Sequence, residues 1–213
     1  MSKNDLKLIK DIIIILISII SFSIFIVINQ PYLYLGMARK YHYAKVVGIS
    51  YSVLKNTYFK LLLYLNGLVH CWNPPFSYSL KGIHHFTDVR HLVIINNMIM
   101  IIFGIWAIKI IYYYLKGHMI WQLITPLRLI EMGIWIFLFL VLVKFNTIFI
   151  IFHKILFQNN NWIFNPQTDP IIKILTPDFF ENCFLLVIIL WFMGDEIIIR
   201  LGKRELKINK KKR

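Results

Sequence analysis

Residues 82–115 read GIHHFTDVRHLVIINNMIMIIFGIWAIKIIYYYL, and this stretch indicates the fold class of the whole chain. Its first ten residues hold three of the seven histidines, together with Asp88, the only carboxylate between residues 12 and 130. The segment that follows, Leu92 to Leu115, is apolar for a length that fits one membrane-spanning helix. Placing histidines and a lone carboxylate at a lipid–water boundary costs free energy unless these groups have partners, and such groups tend to mark a functional site.

The composition is that of a membrane protein. The 213-residue chain is 58% hydrophobic and has a mean hydropathy of +0.65, which suits a small polytopic protein and argues against a soluble domain. The formal net charge is +14. Because the basic residues gather at the ends of apolar segments, we interpret them as topology and lipid-attracting charges and expect no nucleic-acid partner.

Four apolar segments are predicted to cross the membrane as helices, since backbone polar groups in lipid must pair within their own segment. They lie at about residues 12–29, 92–115, 132–152 and 179–199. The third segment contains Lys144, whose role the pattern leaves open. Basic residues in the N-terminal tail, in the loop between the second and third segments, and from Arg200 onward predict that both termini are cytoplasmic.

The predicted fold class is therefore an all-α membrane protein, a single domain over residues 1–213. A small extracytoplasmic lobe is expected at about residues 30–91, between the first and second spans, with a second outer segment at about 153–178. Apolar residues at helical spacing predict one amphipathic helix at about Ser50–Asn66 in the lobe. The two cysteines, Cys71 and Cys183, are expected to be two buried thiols rather than a disulfide.

The histidine-rich segment has two interpretations. If it begins the second spanning helix, His84, Asp88 and His91 share one face, with His85 at its border. The carboxylate could then orient an imidazole and raise its basicity. Alternatively, these polar side chains are simply hydrated at the headgroup level.

His153 is the second candidate. It follows the third predicted span and therefore lies at the same outer leaflet as His85. The set His84, Asp88, His91 and His153 would also suit zinc, although no His-Glu-x-x-His pattern occurs.

Two stretches of the chain resemble a known family. Residues 81–90, KGIHHFTDVR, resemble the pattern basic, any, Ile, any, His, any, any, Asp, Val, basic of the lipoprotein intramolecular transacylases (Lit). A second stretch is similar to the second outer loop of that family: Phe152-His153, then Phe157, Trp162, Phe164, Asp169, Ile172, Pro177 and Phe179-Phe180. Residues 48–65 match the helix before the first motif. One departure is Gly82, where we expect an acidic residue.

The resemblance implies an acyltransferase of the bacterial plasma membrane that acts on diacylated lipoproteins. Such an enzyme moves the sn-2 acyl chain from the glycerol to the α-amino group of the N-terminal cysteine, giving the lyso-form. It implies His85 and His153 as catalytic residues, with Asp88 and Arg90 in support, and no metal or other cofactor. Two alternatives stay open: a metal-dependent membrane hydrolase that uses the same histidines, and a non-catalytic lipid-binding membrane protein.

Overall fold

The computed structural model describes residues 3–211, and this part of the chain is helical, without strands. Its α-helices are α1 (Lys3–Asn29), α2 (Tyr32–Lys40), α3 (Tyr43–Val46), α4 (Tyr51–Leu65), α5 (Leu80–Lys116), α6 (Ile124–Leu156) and α7 (Pro177–Lys211). Two short 3-10 helices lie at Ile120–Leu123 and Pro170–Lys173. The predicted all-α class is confirmed, while the last two residues of the basic tail, Lys212 and Arg213, lie outside the described residues.

Three stretches of helix are long and apolar enough to cross a membrane: Lys3–Asn29, Leu80–Lys116 and Ile120–Leu156. The fourth predicted span, 179–199, lies within α7, and its crossing stays a prediction, as does the orientation of the termini. A bilayer core about 30 Å thick needs about 20 helical residues. Because α5 has 37 residues, its polar first turns can lie outside that core.

Contacts divide the chain into two units. The first comprises the described residues up to Phe25, Asn96–Leu142 and the described residues from Leu185 onward. Its core is built from isoleucines and leucines of α1, α6 and α7, such as Ile15, Leu127 and Ile199, each at most 1% exposed. In a bilayer these branched side chains stabilise the unit through close van der Waals packing, because lipid tails are as apolar as leucine.

The second unit comprises Ile26–Ile95 and Val143–Phe184. Aromatic side chains dominate its core: the ring of Tyr34 stacks on Tyr58 at 3.9 Å and meets Phe179 edge-on at 5.5 Å. These contacts hold α2, α4 and the start of α7 together. Both predicted outer segments contribute to this unit, which contains the beginning of α5 and the end of α6.

The predicted amphipathic helix is confirmed as α4. Ser50 caps its N-terminus by accepting a hydrogen bond from the backbone N–H of Val53 at 3.3 Å. Its apolar face is buried, with Leu54 and Leu61 at 1% and 3% exposure. Gly67, at φ +77°, adopts the left-handed conformation that ends the helix, which glycine accepts without steric cost.

The structure shows the surroundings of the two cysteines and of Lys144. Cys71 and Cys183 are both free thiols, but the expectation that both are buried is wrong, because Cys71 lies in the irregular segment between α4 and α5 and is exposed. Lys144 is exposed and sits at a kink in α6, with non-helical backbone angles of φ −133° and ψ 34°.

Candidate active site

His85 is placed by the first turns of α5. Ser79 lies just before this helix, and its Oγ accepts a hydrogen bond from the N–H of Gly82 at 3.1 Å, which caps the helix start. One turn further on, the side chain of His85 points into the second unit and is 7% exposed. Its neighbour His84 is exposed on the outside of the same helix.

His153 lies in the last turn of α6, the helix that ends at Leu156, and is 9% exposed. Its Nδ1 lies 2.7 Å from the backbone carbonyl oxygen of Phe149, one helical turn earlier. Because a carbonyl oxygen only accepts, Nδ1–H is the donor, and this fixes Nε2 as the unprotonated nitrogen of the neutral ring.

The two imidazoles face each other inside an aromatic enclosure. Their ring centroids are 6.0 Å apart, and the planes are inclined by 31°. Phe157 lies 4.9 Å from His85 and 5.6 Å from His153, between α6 and the following loop. Phe164 meets His85 edge-on at 5.4 Å, and Trp162 lies 4.9 Å from His153. The sequence predicted that these histidines share a leaflet, and the fold brings their rings into one aromatic cluster.

This enclosure keeps the histidines neutral. Burial, and to a smaller extent the nearby His153, lower the pKa of His85 from its usual 6.5 to about 4, although Asp88 partly opposes this shift. Burial also lowers the pKa of His153, opposed by its hydrogen bond to Phe149. Both residues lie outside the predicted spans. Nδ1 of His85 is buried and has no hydrogen-bond partner among the described residues, and an unsatisfied buried polar atom of this kind is unusual in a folded protein.

Asp88 and Arg90 contact neighbouring loops. Asp88 accepts a hydrogen bond from the Asn159 side chain at 3.0 Å, which ties α5 to the segment after α6. The guanidinium of Arg90 donates to the carbonyl of His70 at 3.2 Å and lies 4.8 Å from the ring centre of Tyr64. Both side chains therefore fasten loops beside the histidine pair.

The predicted shared face of α5 does not assemble a metal-binding cluster. His84 and His91 are both exposed, whereas His153 is buried. Between residues 3 and 211, no three His, Cys, Asp or Glu side chains lie close enough to hold one metal ion.

Asp169 is a buried residue to which the sequence pattern assigned no role. It is 2% exposed and its Oδ1 accepts a hydrogen bond from the backbone N–H of Ser79 at 2.7 Å. A signal was present, since Asp169 is the only carboxylate between His153 and Pro177.

The sequence matches the family model "Lipoprotein intramolecular transacylase Lit" over residues 9–180. A comparison with curated proteins found no significant match. Among solved structures, the chain is similar to the membrane integral lipoprotein intramolecular transacylase Lit from Bacillus cereus, with 23% identity and a TM-score of 0.80, covering 94% of each chain.

Two further structures of that Bacillus cereus protein carry, in its own numbering, the mutations H85A and H85R. The first has 22% identity and a TM-score of 0.79, with 94% of this chain and 92% of that chain covered. The second has 22% identity and a TM-score of 0.75, with 100% of both chains covered. At this level of identity, these structures establish the fold. Because the family model covers most of the chain, the protein belongs to the Lit family of lipoprotein intramolecular transacylases, and it is an acyltransferase.

Proposed function

We propose that the protein moves the sn-2 acyl chain of a diacylglyceryl lipoprotein to the α-amino group of the N-terminal cysteine, with His85 and His153 as the acid–base pair. The observation that carries this proposal is the burial of two imidazoles whose ring centres are 6.0 Å apart. Acyl donor and acceptor belong to one substrate, so no serine or cysteine nucleophile is needed. Holding both groups together supplies effective molarities of about 10⁵ M or more.

The reaction requires two proton movements at the amine. The α-ammonium first loses one proton, and the free amine then attacks the carbonyl carbon of the ester. The C–N bond forms, the C–O bond to glycerol breaks, and the second proton lost by nitrogen passes through an imidazole to the glycerol oxygen. One proton is released overall.

The aromatic enclosure favours this chemistry in two ways. An imidazole whose pKa is about 4 stays neutral across the physiological range, so one ring nitrogen keeps its lone pair for proton transfer. The same burial disfavours an ammonium, because an apolar environment penalises the charged form of any amine that enters it. The enclosure therefore lowers the pKa of the attacking group along with that of its base.

The two histidines take different parts in this scheme. We assign His85 to the substrate amine and the glycerol oxygen because its Nδ1 has no hydrogen-bond partner among the described residues. His153, oriented by the carbonyl of Phe149, presents Nε2 as a second proton acceptor. Asp88 and Arg90 support the pair by fixing the adjacent loops, and Asp88 also favours a protonated His85.

The membrane setting fits the substrate. We place the pair at the extracytoplasmic leaflet of a bacterial plasma membrane, beyond the predicted spans 92–115 and 132–152, where the acylated cysteine of a lipoprotein lies. The phospholipid bilayer is then both the solvent for the acyl chains and a partner of the apolar helices.

A labelled acyl chain tests the transfer. Two synthetic lipopeptides of different sequence, only one carrying a deuterated sn-2 chain, would be incubated together with the enzyme in vesicles. Because the transfer is an isomerisation, product and substrate have one mass and are distinguished by fragment ions in tandem mass spectrometry. The deuterated chain should appear on the α-nitrogen of the same peptide. Label from the sn-1 position, or label crossing to the second peptide, would contradict the proposal.

Chelation separates this chemistry from metal-dependent hydrolysis. Since the proposed steps use only imidazoles, 1,10-phenanthroline should leave the rate of lyso-form production unchanged. The control is the inert isomer 1,7-phenanthroline at equal concentration. A loss of activity with the chelator alone that zinc restores would show that a metal takes part.

A further inference from the structure

Asp169 is a buried carboxylate held by hydrogen bonds. Its Oδ1 accepts from the backbone N–H of Ser79, and its Oδ2 accepts from the hydroxyl of Thr168, both at 2.7 Å. Its own N–H donates to the carbonyl of Asn165 at 2.8 Å. A carboxylate at 2% exposure is costly unless its oxygens are paired, and the N-terminal end of α5 further favours a negative charge.

Gly82 makes room for this carboxylate. A Cβ added at Gly82 would lie 2.8 Å from Oδ1 of Asp169 and 3.7 Å from Cε1 of Phe164. Glycine is a poor helix former, so its presence in the first turn of α5 calls for a packing reason. Any larger residue at this position would push Asp169 away from Ser79.

The contact joins the two chain segments that make up the candidate site. α5 carries His85 three residues beyond Gly82. The segment between α6 and α7 carries Asp169 and also Phe164, whose ring lies 5.4 Å from His85. The carboxylate therefore sets how this segment packs against the helix that carries the histidine.

We propose that Asp169 is a positioning residue for the histidine pair, fastening the segment between α6 and α7 to the first turn of α5 in the space that Gly82 leaves. This inference rests on the proposed function of the pair. Catalysis is sensitive to such fastening, since a displacement of about 1 Å can lower a rate about 100-fold.

A double-mutant cycle tests the contact. Gly82→Ala, Asp169→Ala and the double variant would be compared with Gly36→Ala, a control in α2 of the same unit, where a Cβ meets nothing within 4 Å. We expect Gly82→Ala and Asp169→Ala each to lower turnover about tenfold or more and to lower the melting temperature. Gly36→Ala should do neither.

The double variant gives the sharpest result. Once the carboxylate is gone, the alanine at position 82 has nothing to displace, so the double variant should be no worse than Asp169→Ala alone. The proposal would be overturned if, in the double variant, the turnover losses of the two single variants multiplied and their shifts in melting temperature added. So would a Gly82→Ala protein that behaves like Gly36→Ala.

Positioning is distinguished from general stability by two kinetic readouts. Asp169→Asn keeps an acceptor oxygen for Ser79 and should restore most of the turnover lost in Asp169→Ala. In Asp169→Ala, kcat should fall with KM nearly unchanged. A lower melting temperature with normal kcat would overturn the positioning role. Failure of the proposed function would be recognised separately, as full activity in His85→Ala, while the melting-temperature cycle would still test the contact.

Discussion

Replacing His85 with alanine should lower the rate of lyso-form production by about 10²–10⁴-fold, the usual contribution of a positioned acid–base group. The reason is that His85 is one of two buried imidazoles with ring centres 6.0 Å apart, and in the proposed scheme it relays the amine proton to the glycerol oxygen. His153→Ala should cause a loss of the same order. If the two act as one relay, the double variant should be little worse than either single variant.

The controls are the exposed histidines of the same helix. His84→Ala changes the neighbouring residue and His91→Ala one further along, and both side chains are exposed. Their rates should stay within about twofold of the wild type, since surface substitutions away from special features have small effects. Initial rates would be measured in vesicles with equal amounts of folded protein. Equal losses of rate in His84→Ala and His85→Ala would show that activity depends on the first turns of α5 in general and not on the imidazole of His85.

The stability of the second unit should depend on pH through His85. The unfolded chain takes up a proton near the usual pKa of 6.5, whereas burial delays uptake in the folded state until about pH 4. Between these values the unfolded state binds more protons, so stability falls as the pH falls. Through this one histidine, the free energy of unfolding should decrease by about 3 kcal/mol from pH 7.5 to pH 4, with almost no change above pH 7.5.

This pH dependence is isolated by comparison with His85→Gln, which cannot titrate in this range. Denaturant unfolding in mixed micelles would give the free energy at each pH for both proteins. The two curves should diverge below pH 6.5, with the wild type losing more stability. Curves that stay parallel down to pH 4 would mean that His85 is solvated in the folded state.

Local features of the fold followed well from the sequence. The length of the apolar segments and the period of the residues around Leu54 and Tyr58 depend only on neighbouring residues, so the long helices and α4 could be predicted. The ends of α4 were nearly correct, whereas α5 begins 12 residues before the predicted segment 92–115. The closeness of His85 and His153 also followed, because His85 precedes the second apolar segment and His153 follows the third, on the same predicted side of the membrane. The sequence favoured a face through His84 that the fold leaves exposed.

Long-range packing could not be predicted in the same way. The contact between Asp169 and Ser79 joins residues 90 positions apart, and no periodic pattern records such a pair. Gly82 looked like a departure from the expected motif. In the fold, its lack of a side chain leaves space for the carboxylate of Asp169, which lies in the segment between α6 and α7. The aromatic walls were visible as single phenylalanines and Trp162, but their enclosure of the pair depends on how the segment after α6 turns back.

Two histidines can suffice for the proposed acyl transfer. In an intramolecular transfer the substrate supplies both reacting groups, so the protein has to hold them together, exclude water and move a proton. Holding them is the task of the rigid helices α5 and α6 and of the segment fastened by Asp169. The buried imidazoles provide the proton movement, and the aromatic rings around them exclude water, which would otherwise compete with the amine for the ester.

The most direct test of the proposed site is the state of the cysteine α-amino group after a diacylated lipopeptide has been incubated in vesicles with the His85→Ala protein, for the time in which the His84→Ala protein completes the reaction. An amine-reactive reagent followed by mass spectrometry distinguishes the free amine from the acylated one, although substrate and product share one mass. The account predicts that the amine stays free and reactive with His85→Ala, and becomes fully acylated with the matched His84→Ala protein. Complete acylation by the His85→Ala protein, at a rate close to that of His84→Ala, would contradict it.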